Sequence, residues 1–303
     1  MNIKSKIRAN VWGQFLIHTF HAVCCKISSN LFSDYTAVNR YYKRVAGRRV
    51  NLDNPETFSE KLQWLKLYNR NPLKEQCADK YDVRKYVTDC GYAHLLNEIY
   101  GSWDNVDDIS LSELPERFVL KGAHGSGFNL IVKDKNKINW FAWKWVMRSW
   151  LWQDIYWSGR EWVYKNLKKR IIAEKFLEDA YGELRDYKFF CFNGKPAFMQ
   201  LEVGRYSNNN TRNFYDLSWQ LLPFGKELPH NPDIHVEKPA MFDEMVEIAE
   251  KLAQPFDFVR VDLYQVYDKI YFGELTFFPA GGAPDFVPSE YDQIVGKMLE
   301  LDR

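Results

Sequence analysis

The sequence predicts an α+β protein built on mostly antiparallel sheets, and three observations carry that reading. Asn193-Gly194 separates two apolar runs, "LRDYKFFCF" and "KPAFMQLEV", which is the strongest short-range hairpin signal a sequence offers. A second pair, "FVRVDLYQVY" and "DKIYFGELTFF", alternates apolar and polar residues and turns back near Asp268. Helical segments are interspersed with these hairpins, which suggests layered α+β architecture. With 303 residues the chain is long enough for a sizeable core and about two domains.

Residues 1–50 form an N-terminal helical and basic segment. Lys4, Lys6 and Arg8 precede "VWGQFLIHTFHAVCCKISSNLF", in which Val11, Trp12, Phe15, Leu16, Phe20, Val23 and Ile27 recur at roughly helical spacing. Gln14, His18, His21 and Lys26 interrupt the run, so it is too polar and too short to span a bilayer. Two readings stand: a helix docked on the domain, or an interfacial amphipathic helix through which residues 1–30 touch a membrane surface. Residues 51–115 read as an N-terminal helical part. Thr57 and Glu60 make a capping box at the head of "TFSEKLQWLKLY". Asp79 is the expected N-cap of a helix over "ADKYDVRKYVTDC", with Gly91 beyond its end.

Residues 116–180 read as a small subdomain. "FVLKGAHGSGFNLIVKDK" is strand, loop and strand, 140–168 is helical and aromatic, and "RIIAEKFLED" is a short buried strand. Seven of the eleven tryptophans fall between Trp140 and Trp162, either as an aromatic helical core or as a stacking platform for sugar rings. Residues 181–303 carry both hairpins. Between them "KPAMFDEMVEIAEKLAQPF" is a helix with Met241, Met245, Ile248, Ala249 and Leu252 on one face and Pro239 near its start.

Charge is almost balanced, 41 Lys and Arg against 40 Asp and Glu, which gives no global argument for nucleic acid. Five cysteines without CxxC spacing argue against a disulfide framework or zinc site and for a cytoplasmic setting. Contact through the N-terminal helix would make the protein peripheral on the inner face of the cytoplasmic membrane.

The chemistry-bearing residues are spread over three stretches. In the first, Lys121 ends an apolar strand and Gly122, Gly125 and Gly127 follow, the reverse of a P-loop or a kinase glycine loop. Exposed N–H groups of such a loop can cradle an anion, with Ser126 and Asn129 as further donors; an ordinary surface loop is the plain alternative. In the second, Glu174 and Lys175 are polar residues in mid-strand, where a free strand edge could read a flat base; they could equally be the outward positions of an alternating strand. In the third, a turn centred on Asp268 puts Asp262 opposite Glu274 and Arg260 opposite Thr276, all on one face. Two facing carboxylates repel. A Mg²⁺ ion sharing them with phosphate oxygens would resolve the conflict; so would neutralisation by Arg260 and lysines elsewhere.

Taken in order, these stretches resemble the ATP-grasp superfamily, and within it the branch named for teichuronopeptide biosynthesis. "TFSEKLQWLK", "DKYDVRKYV", "DYKFFCFNGKP", "FVRVDLY" and "YFGELTFFPAGG" all stand here, and the resemblance runs from about Asn54 to Leu301. It implies two α+β subdomains clamping ATP. Lys80 and Lys121 would hold the phosphates, under a lid from Gly122 to Asn129 that includes Gly125, Ser126 and Gly127. Glu174, Lys175 and Leu177 would form the adenine hinge, and Asp186 with Lys188 would approach the nucleotide from "RDYKFF". Asp262 and Glu274 would bind Mg²⁺, and Arg260 would stabilise the transferring phosphate. Thr276 replaces the asparagine that D-alanine:D-alanine ligases carry, which removes an amide ligand for a second Mg²⁺.

The implied reaction is carboxylate activation as an acyl phosphate, followed by attack of an amine. Association with surface polysaccharide biosynthesis implies a uronic acid carboxylate and an amino acid amine, with Arg205 and Arg212 as candidates for holding an anionic substrate. The alternatives are a kinase with the same fold, a glycosyltransferase, and a non-catalytic glycan-binding protein. No DxD-like metal motif in a Rossmann-like setting supports the glycosyltransferase, and the binding protein leaves Lys121, Asp262 and Glu274 without a role.

Overall fold

The structure, a computed structural model, describes residues 10–29, 31–178, 184–203 and 210–302. Two antiparallel sheets organise it. The smaller has the order β1-β4-β2-β3, from β1 (Ile99–Trp103), β2 (Phe118–Gly122), β3 (Asn129–Val132) and β4 (Ile171–Lys175). The larger has the order β7-β6-β5-β8-β9, from β5 (Asp186–Phe192), β6 (Lys195–Val203), β7 (Thr211–Asp216), β8 (Phe258–Val266) and β9 (Lys269–Thr276).

The expected hairpins form where the turn chemistry directs. Asn193 and Gly194 have φ of 47° and 82°, the left-handed pair that a two-residue type I′ turn requires. The Asp268 hairpin reaches the expected pairing by a different route. Its turn is Tyr267 and Asp268, with Val266 opposite Lys269, one residue off the expected centre. A bulge then leaves Gly273 unpaired between Leu263↔Phe272 and Asp262↔Glu274 and restores the register at the carboxylates.

β5 lies at the centre of the large sheet and is buried along its whole length, so Asp186 and Lys188 are interior residues. Around it, Phe189, Phe190, Phe198, Phe214 and Phe258 form one core with Phe58 and Leu62 of α3 (Phe58–Tyr68). Met245, Ile248 and Leu252 of α8 (Phe242–Ala253) join the same core. Helices α4 (Pro72–Ala78) and α5 (Val83–Asp89) complete the N-terminal part of it. The α3 capping box is present in both directions between Thr57 and Glu60. Asp79 instead follows α4 and accepts from the backbone N–H groups of Tyr81 (2.7 Å) and Asp82 (3.0 Å), while Asp82 occupies the N-cap of α5.

A second core lies under the small sheet, from Val106 to Ala173, and includes Trp150 of α6 (Trp140–Trp152). Trp150 and Trp162 of the aromatic stretch are thus buried, while Phe141 and Trp152 stay exposed, and the short α7 (Tyr156–Gly159) continues it. The cores divide the chain differently from the expected boundaries. Residues 58–95 pack with the large sheet, and β1 brings part of the expected 51–115 region into the small one. Three elements were not anticipated, β1, β7 and α9 (Glu290–Met298), whereas α2 (Asp34–Ala46) lies in the segment 1–50 expected to be helical. α1 (Val11–Ser29) docks on α6, with Phe15 against Trp145 and Trp152 at ring-centroid distances of 6.1 and 6.3 Å. No helix among the described residues is long and apolar enough to cross a membrane.

Candidate active site

The β8–β9 hairpin supplies the charged floor. Arg260 grips Asp262 through Nε to Oδ1 and Nη2 to Oδ2, both 2.7 Å, and its Nη2 lies 3.4 Å from Glu274 Oε1. The Thr276 hydroxyl accepts from Arg260 Nη2 and donates to Glu274 Oε1, each at 3.1 Å. From β5, Lys188 Nζ donates to Asp262 Oδ2 at 2.8 Å and lies 2.9 Å from Asp186 Oδ2. Lys80 Nζ stands 3.5 Å from Glu274 Oε2. Three cations thus balance three carboxylates, and the facing acids need no metal to coexist. Burial pushes the Asp262 carboxyl up against the pull of Arg260 and Lys188. Burial would also raise Glu274, but Lys80, Arg260, Lys188 and Thr276 hold it down to about 2.

The roof comes from the small sheet. Lys121 Nζ donates to Glu174 Oε2 at 2.7 Å, and Glu174 and the more distant Glu274 and Asp186 raise its ammonium despite burial. The glycine loop is anchored at its base. Gly122 N–H donates to Phe128 O (3.0 Å), Ala123 N–H to Arg170 O (2.9 Å), and Lys80 Nζ to Gly125 O (2.7 Å). His124 is buried, with Nε2 3.0 Å from Trp150 O, and burial lowers it to about 4. Ser126 and Gly127 stand at the exposed tip, and Asn129 is exposed where β3 begins.

The expected free strand edge at Glu174 and Lys175 is not there. β4 is an internal strand, and Glu174 pairs with Ile99 on one side and Val119 on the other. Lys175 N–H donates to Glu98 O (3.0 Å), and Asn97 Nδ2 donates to Lys175 O (2.8 Å). The chain leaves the ladder at Phe176, so residues 176–178, with Leu177 among them, are the first whose backbone lies outside the sheet. Position along a strand does not reveal whether the strand is central or at an edge, and so the free edge expected here is absent.

Floor and roof enclose a cavity of about 570 Å³, within the usual range for a small-molecule site. Lys80, Lys121, Ser126, Gly127, Glu174, Lys175, Leu177, Asp186, Lys188, Asp262 and Glu274 all line it, so residues far apart in sequence converge on one space. Asp186 is buried and hydrogen-bonded by the Tyr264 hydroxyl as well as paired with Lys188. Arg212 lies apart, on β7, paired with Glu202 (2.6 Å) and Glu227 (2.5 Å) rather than on a polar loop. Arg205 lies outside the described residues.

The model of one family, TupA-like ATPgrasp, matches residues 60–300. The chain belongs to the TupA-like ATP-grasp family. Its α+β architecture of two mostly antiparallel sheets is the ATP-grasp fold. Among solved structures it is similar to D-alanine–D-alanine ligase from Bacillus anthracis complexed with ATP, at 17% identity over 66% of this chain and 55% of that one, TM-score 0.39. The enzyme of the same name from Helicobacter pylori matches at 14% over 80% and 69%, TM-score 0.44. Phosphoribosylamine–glycine ligase from Thermotoga maritima matches at 14% over 76% and 57%, TM-score 0.43. The chain spans little more than half the length of the first of these. No curated protein matches it in sequence.

The apolar lining of this cavity was missed by sequence reasoning. Val119, Ile131, Phe176 and Phe272 line it together with Asn97 and Lys133. Val119 and Ile131 could have been found, since both share the Lys121 face of the β2–β3 hairpin at a period of two. Asn97 and Phe176 carry no such signal. Among the described residues no cluster of three or more acid, His or Cys side chains could hold a metal by itself. Two facing carboxylates with Thr276 beside them suit a Mg²⁺ ion that shares its remaining positions with phosphate oxygens. Glu274 Oε2, with Lys80 at 3.5 Å, is the less engaged oxygen of the pair.

Proposed function

We propose that this chain is an ATP-dependent carboxylate–amine ligase that works through an acyl phosphate. The substrates would be a uronic acid or related carboxylate and an amino acid amine, in the biosynthesis of a surface or capsular polysaccharide. The observation that carries the reading is the mixed lining of a single cavity. Val119, Ile131, Leu177 and Phe272 offer apolar surface that suits a nucleobase, and Lys80, Lys121 and Lys188 line the same space with Asp262 and Glu274.

In this reading adenine lies against the apolar wall, with backbone groups of residues 176–178 available to its edge. Asp186 approaches the ribose, and Lys80 and Lys121 take the phosphates beneath the Ser126–Gly127 tip. Asp262 and Glu274 would hold Mg²⁺, which when bound draws charge from the phosphate oxygens. Arg260, charged at any working pH, faces the γ-phosphate. A carboxylate oxygen of the substrate attacks the γ-phosphorus, the bond to the β-bridging oxygen breaks, and ADP leaves. The amine nitrogen then attacks the acyl carbon, phosphate leaves with its electron pair, and the nitrogen loses a proton. The closed loop keeps water from the acyl phosphate. Such an enzyme would work in the cytoplasm, where ATP is supplied.

The test is a phosphate-release screen of uronic acids against amino acids, with mass spectrometry of the product. ADP, phosphate and an amide together support the ligase. A phosphorylated acceptor without amide overturns it in favour of a kinase.

A further inference from the structure

The N-terminal helix packs the wrong way round for a protein surrounded by water. Its polar side chains turn inward: His21 Nδ1 and His18 Nδ1 lie 2.9 Å from Gln153 Oε1 and Nε2, and His18 rests on the rings of Phe128 and Trp150. Val11 and Phe15 pack inward on the small-sheet core, but most of its large apolar side chains turn outward. Trp12, Leu16, Phe20, Val23 and Ile27 recur at intervals of four, four, three and four, so they form one stripe roughly 22 Å long. Phe20 is 72% exposed and Leu16 64%. Phe141, 68% exposed, extends the stripe from α6 at 6.4 Å from the Trp12 ring, and exposed Trp152 flanks it beside Phe15. Nine of the nineteen exposed large apolar or aromatic side chains of the described residues lie between Trp12 and Tyr35, which makes this a patch rather than scatter.

Charge selects the occupant. Lys4, Lys6, Arg8, Lys26, Arg40, Lys43, Arg44, Arg48 and Arg49 stand against the single acid Asp34 within the first 49 residues, a formal +8. The whole chain is +1, so the other 254 residues carry −7. We propose that α1 lies in the headgroup region of an anionic bilayer, with its apolar stripe inserted and the basic N-terminal segment on the lipid charges. The alternative of a symmetric dimer through this patch would set +8 against +8, because a two-fold interface brings the same surface to itself. The acidic remainder of the chain is repelled by the same lipid charge and stays clear of the surface. The apolar stripe and the basic segment are two separate signals, as stable peripheral attachment requires.

The experiment uses the full chain, sedimented with vesicles of phosphatidylcholine alone or of equal parts phosphatidylcholine and phosphatidylglycerol. Binding to the mixed vesicles is expected to be at least about tenfold tighter and to weaken with added salt. Leu16→Ser with Phe20→Ser should reduce it by more than about tenfold while circular dichroism and ATP affinity stay unchanged, since both side chains are exposed. Neutralising Lys4, Lys6 and Arg8 with glutamine should abolish the preference for the anionic lipid. Equal binding to both vesicles, no binding, or binding that ignores the serine substitutions overturns the proposal. A dimer in sedimentation velocity that those substitutions dissolve, without vesicle binding, overturns it in favour of self-association.

Discussion

Replacing Asp262 by asparagine removes one charge from the most enclosed part of the cavity and changes its shape very little. Asp262 is 1% exposed and takes three charge-assisted hydrogen bonds, two from Arg260 and one from Lys188. An asparagine keeps one acceptor oxygen and turns an NH₂ group toward donors, so about two of the three contacts go. At about 1.5–3 kcal/mol for each hydrogen bond to a charged group, the gross loss is roughly 3–6 kcal/mol. Glu274 and Asp186 already stand 3.4 Å from Arg260 and 2.9 Å from Lys188 and take over part of the load. The lower end, about 3 kcal/mol, is expected, which for a chain of this size lowers Tm by roughly 5 °C. The protein remains folded at assay temperature, but Mg²⁺-dependent release of ADP falls at least about a hundredfold. Affinity for metal-free ATP does not fall, because the phosphate end has lost a negative charge. Circular dichroism melts, ADP release and calorimetry with ATP in EDTA measure the three quantities. Retained turnover refutes the metal assignment, and an unchanged Tm refutes the charge network.

Lys121→Ala should weaken ATP binding by about 10–100-fold, the loss of one charge-assisted contact; unchanged affinity by calorimetry would remove Lys121 from the phosphate site. Gly273→Ala puts a Cβ 2.9 Å from both Asp262 O and the Tyr264 ring, so the bulge must shift at a cost of about 1–3 kcal/mol. Turnover should then fall more than stability, because Glu274 is displaced, and a loss of stability alone would show that the register tolerates the change. For pH, His124 has an ordinary value of 6.5 and is held to about 4 in the fold, chiefly by burial. Between those values the unfolded chain binds the proton and the folded one does not. Its contribution is therefore complete above pH 6.5 and is lost as pH falls toward 4, by roughly 3 kcal/mol. Urea unfolding at pH 7 and pH 5 should show this slope reduced in His124→Gln, and an equal slope in both proteins would assign the acid sensitivity elsewhere.

Elements set by neighbours in sequence were legible in the sequence. Asn193-Gly194 specifies its turn because few residue pairs adopt left-handed backbone twice in succession. Thr57 and Glu60 specify a helix start because they satisfy each other's backbone donors across three residues. The Asp262–Glu274 pairing was reached by an argument one residue wrong at the turn and rescued by a bulge at Gly273, which the alternating pattern did not reveal. β1 and β7 went unread because they are edge strands, and short edges carry little of the alternation that a half-buried strand shows. Glu174 was read as part of a free strand edge for the converse reason: β4 is flanked on both sides, a property of its neighbours rather than of its own residues.

The sequence by itself determined the family, the hairpins and the identity of the charged residues, because turn chemistry, caps and motif order are local. Tertiary structure alone decided which charges meet. Lys80, Lys121, Lys188 and Arg260 come from four separate segments, and only the packing of two sheets brings them around Asp186, Asp262, Glu274 and Glu174 so that the charges cancel. The same holds for α1. Its periodicity announced a helix with an apolar face, but which face turns to the protein depends on the partner, and α6 offers Gln153 and Trp150 to its histidines. Burial is a relation between segments, and a helix read alone does not say which of its faces will be the buried one.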